Sequence, residues 1–221
     1  MSIKALVAVR SGSLRVKNKN MRPFAGSNLL ELKLKQLKRI NDLDGIVVNS
    51  NDENMLAVAR SLGCDTVKRE EKYASNIISM SEVYKNMAEN MDCDDIAYIN
   101  VTNPLIKDDT IKNAIKNYYA NKHIFDSLNS AHLIKEFLFK DNRPINYDLK
   151  CQPRSQDLPD IAALNFAISI IPRKLMVENM NIVGNSPHIY IINELEATDI
   201  DTMEDFDFAE YMYKKMYISR T

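Results

Sequence analysis

The sequence predicts an α/β fold in which helices cover both faces of a doubly wound, mostly parallel sheet. Two observations carry this expectation. Short apolar runs rich in β-formers recur along the chain, and segments whose apolar residues repeat at helical spacing alternate with them. The first apolar run also stops abruptly in a polar loop, as a buried strand does where it reaches the ligand-binding edge of such a sheet.

Residues 3–9 are the first buried strand. Residues 28–40 place Leu29, Leu32, Leu34, Leu37 and Ile40 at roughly helical spacing among lysines, and 45–50 follow as a second buried strand, completing one βαβ unit. The alternation continues with a helix near 53–62, a short strand near 66–67, a helix over 81–91, a strand at 96–101 and a helix at 109–119. Residues 132–159 break the rhythm. They are rich in Lys, Asn, Asp and Pro, with one short apolar stretch at Phe137-Leu138-Phe139, and are expected to leave the sheet. Regular structure resumes over 165–171, with a strand around 188–192 and a last helix at about 203–217. No internal repeat, low-complexity tract or linker interrupts the chain, so 1–221 is expected to be a single domain.

Composition narrows the function. A chain of 221 residues with 45% hydrophobic content can bury one substantial core. Its 29 basic and 30 acidic residues nearly cancel, which argues against nucleic acid or an anionic membrane as partner, so any anion site must be local. No apolar run is long enough for a signal peptide or a membrane span. Cys64, Cys93 and Cys151 are odd in number, far apart and form no CxxC pair. That argues against a zinc knuckle or a disulfide framework and leads us to expect a cytoplasmic protein.

Three constellations suit chemistry. After the first strand comes Arg10-Ser11-Gly12-Ser13-Leu14-Arg15-Val16-Lys17-Asn18-Lys19-Asn20, with one of only five glycines held between two serines. A glycine there lets the backbone approach a ligand, and Arg10, Arg15, Lys17 and Lys19 supply charge for a polyphosphate. Neither a GK[ST] phosphate loop nor GxGxxG is present. Near the other end, Asp199 and Asp201 would share one face of an extended segment, with Ile200 turned inward, a pair of hard oxygen donors suited to Mg²⁺. An acidic helix start is an equally physical reading, because Thr202 and Asp205 have capping-box spacing. The third, 152–159 followed by Asn165, is either a binding loop or a surface turn. His123, His132 and His188 are expected to be structural or exposed.

Taken in order, these segments resemble the acylneuraminate cytidylyltransferase family, which includes the CMP-sialic acid and CMP-Kdo synthetases. The family's ARSGSKRLPxKN opening is similar to 9–20, and an RPxxLAxD-like element to 69–76. A QPTSPLR-like element is similar to 100–106, RQxLP and NGAIYI to 154–159 and 165–170, and DIDTxxDF stands unaltered at 199–206. The resemblance implies a Rossmann-like fold of the nucleotide-diphospho-sugar transferase type. It also implies transfer of CMP from CTP to the anomeric hydroxyl of an acidic 2-keto sugar with loss of pyrophosphate. By that pattern Arg10, Ser11, Gly12, Ser13, Arg15, Lys19 and Asn20 hold the nucleotide phosphates, with Arg69 and Ser79 near the nucleotide. Asn100, Thr102, Arg154, Gln156 and Asn165 border the sugar. Asp199 and Asp201 bind Mg²⁺ and act in catalysis with Lys19 and Arg10. The family further implies a homodimer, with 132–159 as the arm that reaches the partner.

The chain departs from the pattern at Leu14, Asn76, Asn100, Ile106, Ala163 and Phe166, where the family tends to carry Lys, Asp, Gln, Arg, a basic residue and Gly. Most of these departures fall on the sugar side. We therefore expect a sugar pocket unlike that of a sialic acid synthetase, with N-acetylneuraminate a poor substrate and a more apolar deoxy nonulosonic acid preferred. A CMP-Kdo synthetase, another sugar nucleotidyltransferase and a homologue that binds nucleotide without turnover are the alternatives. The glycine-rich GGxGTRL loop of sugar 1-phosphate enzymes is absent.

Overall fold

The computed structural model describes residues 1–75 and 77–218. Strand β1 (Ile3–Ala8) leads through a polar loop to a small hairpin, β2 (Pro23–Phe24) and β3 (Ser27–Asn28), and then to helix α1 (Leu29–Leu37). There follow β4 (Gly45–Ser50), α2 (Glu53–Ser61), β5 (Asp65–Lys68), α3 (Met80–Glu89), β6 (Asp95–Ile99) and α4 (Asp108–Asn121). The second half comprises β7 (Ser127–Ile134), a hairpin of β8 (Phe139–Lys140) and β9 (Arg143–Pro144), β10 (Ile161–Pro172) and α5 (Arg173–Asn179). It ends with β11 (Pro187–Ile191), α6 (Glu194–Ala197) and α7 (Met203–Tyr217).

Seven strands make one sheet in the order β11-β7-β10-β6-β1-β4-β5. β1 is parallel to both neighbours, with Ala5 opposite Ile46 of β4 and Ala97 of β6. β5 and β11 also run parallel to their neighbours, whereas β10 is antiparallel to both β6 and β7. Successive β1 side chains serve two different cores. Ala5 and Val7 meet Leu34, Leu56, Ile115 and Phe206 from the helices on one face, and Leu6 meets Val83, Met87 and Met176 on the other. A strand covered on both faces reads as a continuous apolar run, which is why β1 was plain in the sequence. The carboxyl ends of β1, β4 and β6 consequently open side by side on one edge.

The structure corrects the expected layout in its second half. β7 spans Ser127–Ile134, where no strand was expected, and the excursion begins only after it. The reason is that Ser127, Asn129 and Ser130 are all fully buried in this strand. Ser127 and Asn129 donate to Val183 O, and Ser130 Oγ donates to Asn165 Oδ1 at 2.6 Å, so these buried donors find partners and the apolar signature is lost. β10 likewise starts at Ile161 rather than 165, and β2, β3, α5 and α6 were not expected. The capping box expected of Thr202 and Asp205 is present at the start of α7.

One helix buries a charge. Lys33 of α1 is 2% exposed, and its ammonium donates to Gln36 Oε1 at 2.9 Å and to Asn103 O at 3.0 Å, both neutral oxygens. Burial pulls Lys33 down from 10.5 to about 7, only partly offset by Asp108, which is itself engaged by Arg39. Between those two values the unfolded chain holds a proton that the folded chain lacks. The lysine's cost is therefore complete below about pH 7 and is relieved as pH rises towards 10, by at most about 1.4 kcal/mol per pH unit. Against a Lys33→Met variant, urea unfolding should show the wild type gaining roughly 2.7 kcal/mol of relative stability between pH 6 and pH 9. A gap independent of pH would show that Lys33 is not buried in this way.

Candidate active site at the carboxyl ends of the central strands

The loop after β1 is held in place by its own buried polar groups. Ser11 N donates to Asn51 Oδ1 at 3.1 Å, and Asn51 Nδ2 donates to Ser11 Oγ at 3.0 Å and to Glu71 Oε2 at 3.1 Å. Val16, 1% exposed, plugs the loop into the core, and Asn20 Nδ2 donates back to Arg10 O at 3.4 Å. Gly12 adopts φ +81° with nothing within 4 Å of the place a Cβ would take, so a ligand can approach its backbone closely. The result is a hollow of about 320 Å³ lined by Arg10, Ser13, Arg15, Lys19, Asn100 and Thr102, among others. Arg10 Nη1 donates to Ala74 O at 2.5 Å, which draws its guanidinium towards the next hollow.

That second hollow, about 340 Å³, shares Ala8, Val9 and Arg10 with the first and adds Arg69, Tyr98 and Met80. Arg69 is 5% exposed and clasps the carboxyl end of β4, its Nε donating to Asn49 Oδ1 at 2.5 Å and its Nη2 to Asn49 O at 3.0 Å. Burial lowers its pKa below the ordinary arginine value. Ser79 caps α3 by accepting from Glu82 N at 3.3 Å, beside Met80 on the wall.

Asp199 and Asp201 arrive from the far end of the chain. Ile200 between them is fully buried, its N donating to Thr102 O at 3.0 Å, so the two carboxylates share the outward side as their spacing required. The capping box is made by Thr202 and Asp205, which leaves both carboxylates outside it. Lys19 Nζ donates to Ile200 O at 2.5 Å, and Arg15 pairs with Asp201 at 2.7 Å. Burial is the main cause that lowers the Lys19 pKa, opposed by Asp199 and Asp201. Burial also raises that of Asp199, opposed first by the Thr102 hydroxyl. Asn103, wholly buried, donates from Nδ2 to Ala197 O and Thr198 O, each at 3.1 Å, and fixes the approach to Asp199.

Asp199 also borders a third hollow of about 490 Å³ with His132, Asn165, Phe166, Thr198 and Asp205. Asn165 Oδ1 accepts from Ser130 Oγ and from Ala167 N at 3.2 Å, across an irregularity where β10 shifts register against β7. Phe166 sits in that bulge at φ +53°, a conformation costly for a bulky side chain. Its half-buried ring both packs against the Leu6 core and lines the hollow.

Arg10, Ser13, Arg15, Lys19, Asn20, Asn100 and Thr102 line the first hollow, Asp199 and Asn165 the third and Arg69 the second, whereas Ser11, Gly12, Ser79 and Asp201 line none of the three. Arg154 and Gln156 do not join them, for they lie exposed on the short turn Ser155–Asp157 and line none of the three hollows. Of the departures, Leu14 is 85% exposed and Ile106 is fully buried in the core, while Asn76 lies outside the described residues. Ala163 stands opposite His132 in the β7–β10 pair, so the histidine expected to be structural or exposed lines the third hollow beside it. Asn51, Glu71, Asn103 and Ser130 were missed. The polar run Asn49-Ser50-Asn51 at the end of a buried strand was the one signal that pointed to any of them.

Comparison with known proteins fits this geometry. The family model described as Cytidylyltransferase matches residues 4–150, more than half the chain. The pseudaminic acid cytidylyltransferase of Campylobacter jejuni subsp. jejuni serotype O:2 is 26% identical over 224 residues, covering 95% of both chains. The N-acylneuraminate cytidylyltransferase A of Danio rerio is 23% identical over 217 residues, 94% of this chain and 50% of that one. Among solved structures, a CMP:2-keto-3-deoxy-manno-octonic acid synthetase complexed with CTP superposes with a TM-score of 0.70 at 8% identity, covering 98% of this chain and all of that one. The chain is a nucleotidyltransferase and belongs to the cytidylyltransferase family.

Proposed function

We propose that the protein transfers CMP from CTP to the anomeric hydroxyl of a nine-carbon 2-keto acid sugar and releases pyrophosphate. The observation that carries this reading is that the three hollows lie next to one another. Arg10 is common to the first two, and Asp199, held by the Thr102 hydroxyl of the first, borders the third. The basic hollow suits the triphosphate, the Arg69 hollow the nucleoside, and the Asn165 hollow the acceptor. The names of the relatives support an acidic sugar of the nonulosonic class.

Phosphoryl transfer of this kind rests on positioning and on neutralising charge. Lys19 and Arg10 flank the phosphate hollow, and Lys19, tied to Ile200 O, is already oriented towards it. The Gly12 backbone leaves room for phosphate oxygens. Asp199 and Asp201 fit Mg²⁺ as a donor set, two hard carboxylates beside a phosphate site, and would hold it there. When bound, the ion supplies charge for the phosphates and lowers the pKa of the attacking hydroxyl. Asn165, fixed by Ser130, is placed to orient the acceptor.

We further infer a homodimer, supported by the exposed Phe137, Phe139, Ile145 and Leu149 on the excursion and Ile189 and Ile191 on the edge strand β11. Among the described residues no helix is long and apolar enough to cross a membrane, and Cys64, Cys93 and Cys151 are free thiols, which supports a place in the reducing cytoplasm.

Incubation with CTP, Mg²⁺ and a panel of nonulosonic acids and Kdo, with pyrophosphate as readout, tests the reaction. Turnover should need the divalent ion and collapse in Asp199→Asn and Asp201→Asn with melting temperatures unchanged. Lys19→Ala should lose on the order of a hundredfold in rate, about 3 kcal/mol of transition-state stabilisation. Near-normal rates in both aspartate variants would reduce these residues to surface acids.

Acceptor choice should follow Phe166. A deoxy nonulosonic acid is expected to exceed N-acetylneuraminate in kcat/KM, and Phe166→Gly should narrow that preference by about tenfold, the worth of a modest apolar contact. Stability should change little. Relief of the left-handed backbone, about 1–2 kcal/mol, offsets most of the buried ring area that is lost, itself about 2 kcal/mol. A wild-type preference for N-acetylneuraminate would refute this.

A further inference from the structure

We propose that Lys33 is a positioning residue for the carboxylate segment: acting through Asn103, it fixes the backbone that presents Asp199 and Asp201. This rests on the reading of those two aspartates as the cation site.

The argument begins with an expense. An ammonium with neutral oxygens for partners is among the least favourable groups to bury, and an apolar residue of similar size would usually fill the place better. Lys33 is nonetheless sealed under Leu29, Leu32, Pro104, Tyr213 and Tyr217, which enclose a void of about 30 Å³, room for one water. Its position shows what the charge holds. Lys33 donates to Asn103 O, while Gln36, one turn on, donates to Ile106 O at 2.6 Å. Helix α1 thereby grips both ends of the turn 103–106 that follows β6.

Asn103 carries the grip onward. Its side chain is wholly buried, its Oδ1 has no hydrogen-bond partner among the described residues, and its Nδ2 serves Ala197 O and Thr198 O. A residue that leaves one half of its amide unsatisfied is retained for the other half. Thr102 adds the bond from Ile200 N. The segment 197–200 is thus bonded to residues 102–103 on either side of Asp199, and Lys33 holds residue 103 from behind. Tyr213 and Tyr217 belong to α7, which begins just after Asp201, so the same lysine lies beneath the element on the other side of the pair.

The test uses Lys33→Met, Lys33→Gln and Asn103→Ala, with amide hydrogen exchange, manganese binding to the CTP-loaded protein by electron paramagnetic resonance, and melting temperature as readouts. In Lys33→Met, exchange over 197–201 should quicken about tenfold and manganese affinity should fall about tenfold, with a melting temperature equal to or above wild type. Asn103→Ala should show the same pair of changes, and adding Lys33→Met to it should weaken manganese binding no further, as expected of residues acting in series. Lys33→Gln, which keeps a donor for Asn103 O, should lie between. Wild-type exchange at Ile200 together with wild-type manganese affinity in Lys33→Met would overturn the proposal. If the wild type bound no manganese with CTP while the exchange effect persisted, the cation reading would fall and the hold of Lys33 on the segment would stand.

Discussion

The contact on which the site depends is the pair of hydrogen bonds from the Asn103 amide to Ala197 O and Thr198 O, joining positions 94 and 95 residues apart. It acts together with the bond from Ile200 N to Thr102 O and with the Lys19 and Arg15 contacts, which tie the same segment to the loop after β1. The sheet order makes the contact possible, because β6 lies beside β1 and both deliver their carboxyl ends to the same edge. The loop after β1 and the turn after β6 are then neighbours, and only the segment 197–200 must be brought to them. Buried amide bonds do so with little dependence on ionic strength, whereas a surface ion pair would be screened.

The same comparison explains the unlike behaviour of the two basic residues nearest the aspartates. Lys19 reaches a backbone carbonyl, Ile200 O, and is partly buried, so it is oriented before any ligand arrives. Arg15 pairs with Asp201 with both side chains well exposed. A pair of that kind contributes at most about 1 kcal/mol, so it yields readily to a stronger partner for Asp201. Preorganisation therefore resides in Lys19 and in the backbone around Gly12, and adaptability in Arg15.

The sequence revealed what depends on local pattern and concealed what depends on long-range pairing. β1 was legible because both its faces are apolar, and Asp199 and Asp201 because a period of two suffices to place them. β7 was not, since Ser127, Asn129 and Ser130 are buried polar residues whose partners, Val183 and Asn165, are distant in sequence. His132, expected to be structural or exposed, is half-buried across from Ala163 and lies on the wall of the third hollow, a placement set by strand pairing. Arg154 and Gln156 stay on an exposed turn away from the three hollows, while Leu158 beside them is the residue of that stretch that packs inward. The first hollow is lined largely by contiguous residues, while the third is assembled from β7, β10 and α6, which no local window contains.

Two costs fall close to the carboxylate segment. Phe166 holds a left-handed backbone that glycine would adopt freely, and Lys33 buries an ammonium that methionine could replace. Each lies near the groups that frame Asp199, Phe166 on the wall of the third hollow and Lys33 through Asn103. Sequences depart from local optima mainly where geometry at a site outweighs the stability given up. The bulge aims a ring at the third hollow that a regular strand would direct elsewhere, and the lysine supplies a donor behind a turn where an apolar side chain would leave Asn103 O unpaired. Both costs therefore fall on residues that the fold alone does not require, beside the segment that carries Asp199.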